Sequence, residues 1–380
     1  MTLLTAISYA FLPAKNGGQL AHLYFHNAIQ DYLNSIVLSS EENIQGGNTI
    51  KFTLILAFKS LLGTYFPFFA TYKFVYNINA FKADVFMCSH PYMGASSILA
   101  CRITNVPLIS YSHNIESQRF RSLNKWWWSA MYLYEQWVMK HSARTFFVTQ
   151  EDKDWALKHY GLDENKCIVS PFGINLSQPP VKLKENKEWL LKTFHINPEN
   201  IILYFAGAYG YLPNDNAVES ILDQIVPRLD QRKIKYTIMI VGGGLSNHLQ
   251  KKIAFTQGRV IYAGFVDDIH KILDSADIMI NPMLLGGGIK TKVVEALGND
   301  IKVISTQNGA HGLDLHKCGS MLWLSDDGDW ESFTINILNS ININTHIGNA
   351  FFEHYAWENV TKRVAMEIDT VIAEWKKNNG

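Results

Sequence analysis

Cysteine is scarce. Four residues, Cys88, Cys101, Cys167 and Cys318, stand far apart among 380, and no CxxC pair occurs. Disulfide lattices and zinc knuckles both need closely spaced thiols, so neither is encoded. The four are expected to pack as small apolar side chains in a reducing compartment. Neither sign of charge is in excess: 34 Lys and Arg face 34 Asp and Glu, for a formal charge of zero. The uniform basic field that holds a nucleic-acid backbone is missing, which argues against nucleic acid as a partner. Long apolar runs are also lacking. The longest, Ser60 to Tyr72, contains Gly63 and Pro67 and is bounded by Lys59 and Lys73, short of the roughly 20 residues a bilayer demands. No cation precedes the apolar first fourteen residues, the first charge being Lys15. They read as a first strand rather than a leader, and a cytoplasmic location is expected.

What is present suits a folded α/β chain of about two domains at roughly 150 residues each, with 47% hydrophobic residues against 18% charged. Short β-branched runs alternate with helical segments: Leu3 to Tyr9, Asp84 to Cys88, Pro107 to Tyr111, Arg144 to Thr149 and Cys167 to Pro171. That rhythm predicts a parallel sheet built from βαβ units. A Pro-, Lys- and Glu-rich stretch follows, and the rhythm restarts at Ile201 to Phe205, Tyr236 to Val241, Val260 to Tyr262, Ile278 to Asn281, Val303 to Ser305 and Met321 to Leu324. The expectation is two Rossmann-like, doubly wound parallel-sheet domains facing a cleft. One covers residues 1–176 and the other 199–350. Residues 177–198 form a linker, and a helix over 351–380 carries Tyr355, Val360, Val364, Ile368 and Ile372 on one face.

Ligands of such sheets sit beyond the carboxyl ends of strands, so glycines just after a strand are the first places to look. Gly242, Gly243 and Gly244 follow one strand, but Asn247 stands where a dinucleotide fingerprint needs its third glycine, which disfavours a nicotinamide enzyme. Gly17 and Gly18 open a helix after the first strand, and their amides could face an anion or simply form a turn. The informative cluster is Gly286-Gly287-Gly288-Ile289-Lys290-Thr291-Lys292, followed by Glu295, after the strand ending near Asn281. Bare backbone admits a bulky anion, and a helix then begins whose free N–H groups point at it. The pattern describes a diphosphate cradle, with Lys290 in the first helical turn adding a cation and Glu295 placed to accept from a diol such as a ribose. No GxxxxGK[ST] occurs, which excludes Walker-type ATP binding.

His113, with Asn114 and Glu116 after the strand from Pro107, sets a histidine and a carboxylate at a strand's carboxyl end; His90 is a second candidate. Asp152 and Asp154 have DxD form but fall where acids cap a helix, so no metal is expected there. Trp126-Trp127-Trp128, after Arg119, Arg121 and Lys125, leads into Tyr132, Tyr134 and Trp137. With the apolar stretch Phe52 to Phe81 this composition fits contact with a membrane surface and a lipid-linked acceptor. The preferred reading is that the aromatics fill the first domain's core.

These motifs resemble the GT-B glycosyltransferases of the retaining family 4 (glycosyl transferases group 1). The resemblance rests on Gly17-Gly18; Ser112-His113-Asn114-Ile115-Glu116-Ser117; Ser170-Pro171-Phe172-Gly173-Ile174-Asn175; Gly264-Phe265-Val266; and above all Gly286 to Ala296. It implies a hexosyltransferase that moves sugar from a nucleotide diphosphate sugar to a glycan or lipid-linked hydroxyl with retention, in polysaccharide biosynthesis, without metal or other cofactor. It places donor binding in the second domain and acceptor binding in the first, with the terminal helix returning to the first. By the same resemblance Lys290 meets the diphosphate, Glu295 the ribose, and Gly264, Phe265 and Val266 the base. Gly17, Gly18, Gly287, Gly288, Ile289 and Thr291 contact the donor, and His113 positions the sugar or shuttles a proton. A peripheral location at the inner membrane face fits a lipid-linked acceptor.

The sequence departs from the family in two places. The first glutamate of the common Glu-x7-Glu pair falls on Gly287, and the usual Arg and Lys after the second domain's first strand correspond to Ala208 and Pro213. Lys290 must then carry the cationic load, or Lys292 must help. A sugar-nucleotide epimerase and a non-catalytic partner subunit are the rival readings.

Overall fold

A computed structural model describes residues 1–14, 17–44, 48–58 and 67–379. Lys15 and residues 60–66 of the apolar stretch Ser60–Tyr72, with Gly63, lie outside the described residues. The chain divides into two compact units, one of Met1–Asn175 with Tyr355–Gly380 and one of Leu176–His354.

The first unit is built on a seven-stranded parallel sheet. Its strands are β1 (Thr2–Ile7), β2 (Asn34–Ser40), β3 (Thr53–Phe58), β4 (Val85–Ser89), β5 (Leu108–Ser112), β6 (Arg144–Phe147) and β7 (Cys167–Val169), in the order β3-β2-β1-β4-β5-β6-β7. Sheets covered on both faces need strands that are apolar on both faces, and in β1 Leu3, Leu4, Ala6 and Ile7 are all fully buried. Helices Pro67–Phe81, Gly94–Thr104 and Trp128–Lys140 join one core with this sheet through Phe74, Ile78, Ile98, Cys101 and Val138. Helix Gly17–Ile29 packs instead with the terminal helix Trp357–Asn379. β2 and β3 were not expected from the sequence; β2 ends in two serines and β3 is the edge strand.

The chain's end is fixed to the first unit in two ways. Ile174 and Ala356 form a parallel bridge, with the Ile174 amide donating to Tyr355 O at 2.8 Å and the Trp357 amide to Ile174 O at 2.9 Å. Arg144 donates to Glu367 at 2.6 Å and to Glu374 at 3.0 Å. A methyl group on Gly173 would stand 2.5 Å from the Trp357 ring. Gly173→Ala should therefore cost about 1–3 kcal/mol, read as a lowered urea midpoint.

The second unit holds a six-stranded parallel sheet of β8 (Ile201–Ala206), β9 (Tyr236–Val241), β10 (Val260–Gly264), β11 (Ile278–Asn281), β12 (Lys302–Thr306) and β13 (Leu322–Ser325), in the order β10-β9-β8-β11-β12-β13. The stretch 177–198, read as a linker, contains the helix Lys184–Thr193 and clusters with this unit. Leu190 is fully buried there, and Lys271 lies over the Trp189 ring at 4.8 Å. The terminal segment likewise divides: Phe351 to His354 cluster with the second unit and Tyr355 onward with the first. In both sheets the strand order reverses beside the first strand, between β1 and β4 and between β8 and β11. In open sheets these reversals, at the strands' carboxyl ends, are where ligands bind. All four cysteines are free and buried. Among the described residues no helix is long and apolar enough to cross a membrane.

Candidate active site

In the second unit three glycine clusters meet at the carboxyl ends of the strands. The Gly242 amide donates to Gly264 O at 2.7 Å and the Tyr209 amide to Gly243 O at 3.0 Å. A Cβ on Gly242, whose φ is +125°, would lie 1.8 Å from Gly207 O, so backbone packs on backbone and no side chain fits. Gly264, Phe265 and Val266 lie next to this junction; a Cβ on Gly243 would touch Phe265, whose ring is exposed.

The third cluster follows β11. Buried Asn281 donates from Nδ2 to Ser305 Oγ and to Gly309 O, each at 3.0 Å, which fixes where the strand ends. The loop then runs through Gly286 (φ +93°), against Pro213 and Tyr211, and Gly288 (φ +69°), with open space at Gly287. Helix Thr291–Gly298 begins immediately afterwards, and no side chain caps it. Its first amides are left for a ligand, in the manner of an anion site. Ile289 is half-buried and Thr291 is the first helical residue.

Lys290 departs from expectation. It is the extended residue preceding the helix (φ −91°, ψ 92°), not part of the first turn. Its ammonium turns back to donate to the carbonyls of Gly288 at 2.7 Å, Gly286 at 3.1 Å and Gly287 at 3.4 Å. The lysine thus braces the glycine loop from inside, and burial pushes it down to about 8. Lys292, which the sequence marked only as a helper, donates to Ala206 O and Asn214 Oδ1, each at 3.1 Å, and stands 3.9 Å from the Phe205 ring centre. Burial, with Lys290 nearby, pushes it down to about 7. Its ammonium therefore lies at the end of β8, beside the segment where Ala208 and Pro213 replace the family's cations. Glu295 is exposed as a residue, yet partial burial raises its carboxyl, with His270 opposing.

In the first unit Gly17 and Gly18 start the helix Gly17–Ile29. His22 from that helix, His90 after β4 and His113 after β5 cluster with Tyr9. The His22 and His113 ring centres are 4.7 Å apart, and those of His90 and His113 are 4.5 Å apart and stacked. Burial holds His22 and His113 well below the usual imidazole range, so both are neutral. Ring nitrogens of the three lie within 4.8 Å of one another, the only group among the described residues that could hold a metal. A tetrahedral ion needs nitrogens about 2.0–2.1 Å from its centre, so the rings would have to close in. As they stand, hydroxyls serve them: Tyr9 Oη is 2.9 Å from His22 Nε2, and Ser89 Oγ is 3.1 Å from His113 Nε2.

Glu116 lies beneath this cluster. Its carboxylate accepts from Tyr92 at 2.7 Å and Arg119 at 2.8 Å, and His90 Nδ1 is 3.4 Å away. Burial raises this carboxyl, but His90, Arg119 and Tyr92 outweigh it and hold it down to about 2. A residue the sequence did not flag supports the whole loop. Fully buried Glu135 accepts from the Glu116 amide at 2.9 Å, the Ser117 amide at 3.0 Å and the Tyr160 hydroxyl at 2.6 Å, so it caps helix Glu116–Ser122 from a neighbouring helix. Asp152 lies in the first turn of helix Gln150–Tyr160, behind the Thr149 cap, whose hydroxyl accepts from the Asp152 amide at 3.0 Å.

Two parallel-sheet α/β units, each with a strand-order reversal beside its first strand, and with glycine loops at the strands' carboxyl ends in the second, have the architecture of the GT-B fold. Sequence comparison specifies the family: residues 200–342 match glycosyl transferases group 1 and residues 40–178 match glycosyltransferase family 4. The chain belongs to the family 4-like GT-B glycosyltransferases. It is 24% identical to an uncharacterized 44.6 kDa protein of the cps region of Klebsiella pneumoniae. That match covers 57% of this chain and spans about half of the relative, 55% of its length. It is 23% identical to the UDP-Gal:alpha-D-GlcNAc-diphosphoundecaprenol alpha-1,3-galactosyltransferase of Escherichia coli over 74% of this chain and 73% of that one. Among solved structures, Anabaena HepE in complex with UDP and glucose superposes with a TM-score of 0.69 at 14% identity, over 97% of this chain and 100% of that one.

Proposed function

We propose that this protein transfers a hexose from a uridine diphosphate sugar to a hydroxyl of a glycan or lipid-linked glycan, with the anomeric configuration kept. The carrying observation is the Gly286–Gly288 loop running into the uncapped Thr291–Gly298 helix, with two ammonium groups beside it. Breaking the bond to the anomeric carbon builds negative charge on the departing diphosphate, and preorganised amides and cations aimed there lower the barrier. On this reading the loop amides, Lys290 and Lys292 meet that charge without a divalent metal or other cofactor. Glu295 holds the ribose, and Gly264, Phe265 and Val266 hold the base. The departing phosphate oxygen is itself basic enough to take the acceptor's proton.

The choice of uridine is supported by the UDP complex of the Anabaena protein and by the donor in the name of the Escherichia coli relative. The latter's acceptor, a sugar on diphosphoundecaprenol, supports the lipid-linked class here. The non-catalytic reading rests on the missing first glutamate at Gly287 and the missing cations at Ala208 and Pro213; the Lys292 ammonium at the end of β8 supports a substitute for the cations, and calorimetric titration with nucleotide diphosphates separates the two readings. Donor incubated without acceptor, then examined for an isomerised sugar, separates the epimerase reading.

Calorimetric titration with UDP tests the donor site. Both lysines are held low in the free chain (about 8 and about 7), so each is partly or largely deprotonated near pH 8. A bound diphosphate favours the charged forms, so binding should take up protons and weaken as pH rises through that range. Equal heats in buffers of different ionisation enthalpy would rule out lysine contact with the diphosphate. In the first unit, His113→Ala should lower turnover more than UDP affinity, and unchanged kinetics would remove His113 from the reaction.

A further inference from the structure

Three imidazoles from separate elements meet in the first unit: His22 from helix Gly17–Ile29, His90 after β4 and His113 after β5. Histidines buried for packing alone are satisfied by hydrogen bonds. His26, one helical turn beyond His22, is of that kind, its Nδ1 standing 2.9 Å from Ser35 Oγ. His90 is not. Among the described residues its buried Nδ1 has no well-aligned hydrogen bond, with Glu116 Oε1 3.4 Å away. Its Nε2 is 3.5 Å from Tyr9 Oη, at the outer limit of such a bond. Its backbone lies at φ +64°, ψ 157°, a combination that side chains rarely adopt. Strain and an unsatisfied nitrogen in one residue mark a place shaped for more than packing.

The spacing suits a divalent ion held by nitrogen. With metal–nitrogen bonds of about 2.0–2.1 Å, two imidazoles on one tetrahedral ion have ring centres about 5 Å apart. Here the separations are 4.5 Å for His90 and His113, 4.7 Å for His22 and His113, and 6.2 Å for His22 and His90. Turning the His90 ring off His113 and toward His22 closes the long edge. Glu116 faces His90 Nδ1, which leaves Nε2 for the ion, and a carboxylate on the outer nitrogen is the common support of a metal-bound histidine. Tyr9 Oη, 2.9 Å from His22 Nε2 and 3.5 Å from His90 Nε2, stands where a fourth ligand belongs. His113 is only half-buried, which gives an ion a way in. Three nitrogen ligands favour zinc over magnesium or calcium, which take oxygen.

We propose that His22, His90 and His113 form a zinc-binding site, with Tyr9 as the fourth ligand and Glu116 supporting His90 from outside. The ion fastens the first helix to the ends of β4 and β5. The site does not depend on the transferase reading, in which the second unit meets the diphosphate without a metal. The test is calorimetric titration of the full chain, freed of metal by chelation, with zinc chloride. A single ion per chain is expected, and magnesium chloride should not compete. X-ray absorption of the zinc-loaded chain should show three imidazole nitrogens at about 2.0–2.1 Å and no sulfur. His90→Asn should weaken zinc binding roughly 100-fold or more, and Glu116→Gln about 10- to 100-fold, the scale for an outer partner. Asparagine tolerates positive φ better than most side chains, and thermal melts without zinc check that both variants are folded. Zinc should raise the melting temperature of the parent chain and leave that of His90→Asn unchanged. No saturable binding by the parent chain, fewer than three imidazoles or any sulfur around the zinc, or undiminished binding in His90→Asn would each overturn the proposal.

Discussion

Replacing Lys290 with alanine should slow sugar transfer by roughly 100- to 1,000-fold, the scale for removing one donor aimed at transition-state charge. Two effects combine. On the proposed reading the variant loses a cation beside the departing diphosphate, and it frees the carbonyls of Gly286, Gly287 and Gly288, which the ammonium draws together. With their brace gone, Gly286 and Gly288, both at positive φ, can relax into other conformations and misdirect the helix amides. Turnover should therefore fall further than UDP affinity. Lys290→Met, which keeps the stem but not the charge, should behave like the alanine variant. Steady-state kinetics with a UDP-sugar donor decide the matter, and normal turnover in either variant removes Lys290 from the reaction.

The largest effect on stability is expected at Glu135. Glu135→Ala leaves the amides of Glu116 and Ser117 and the Tyr160 hydroxyl without their acceptor, deep in the first unit. A buried donor left without its acceptor costs about 1–3 kcal/mol. With partial re-pairing through Ser117 Oγ, 2.6 Å from Tyr160 Oη, a loss of roughly 3–5 kcal/mol follows. That is a large fraction of the roughly 5–15 kcal/mol that holds a typical protein together.

Burial also raises the Glu135 carboxyl to about 7 from an ordinary value of 4.5. A raised carboxyl binds its proton more tightly in the folded state. Its contribution is therefore fully present below about 4.5 and is lost as pH rises through about 7. Urea unfolding of the parent and of Glu135→Gln should give stability curves whose difference changes across that window. Parallel curves would mean that Glu135 does not titrate there.

The glycine loop and the helix after it were legible because everything that defines them is local: a short apolar strand, three glycines and an amphipathic helix within about twenty residues. The direction of the Lys290 side chain was not, because it depends on the path of the loop that the ammonium itself holds. Lys292 could be marked only as a substitute, since its partners Ala206 and Asn214 are brought to it by the alignment of β8 with β11. Glu135 escaped notice because the amides it caps lie 18 and 19 residues earlier and its own helix reads as an aromatic run. That run also misled. Tyr134 and Val138 face inward while Leu133 and Trp137, one position earlier in each case, face out, and helical spacing alone does not say which stripe is covered. β2 and β3 were overlooked for different reasons: Asn34–Ser40 is bounded by polar residues on both sides, and Thr53–Phe58 is an apolar run that merged into the longer apolar stretch Phe52 to Phe81.

The first unit takes its material from both ends of the chain, residues 1–175 and 355–380. During synthesis, amino-terminal portions emerge first and domains generally fold as units. Here the second unit has all its residues before the ribosome makes the helix that pairs with Arg144 and covers Phe25 and Phe172. The earlier-born half must wait, incompletely clothed, while the later-born half matures, and the final two dozen residues act as the clasp that ends that wait.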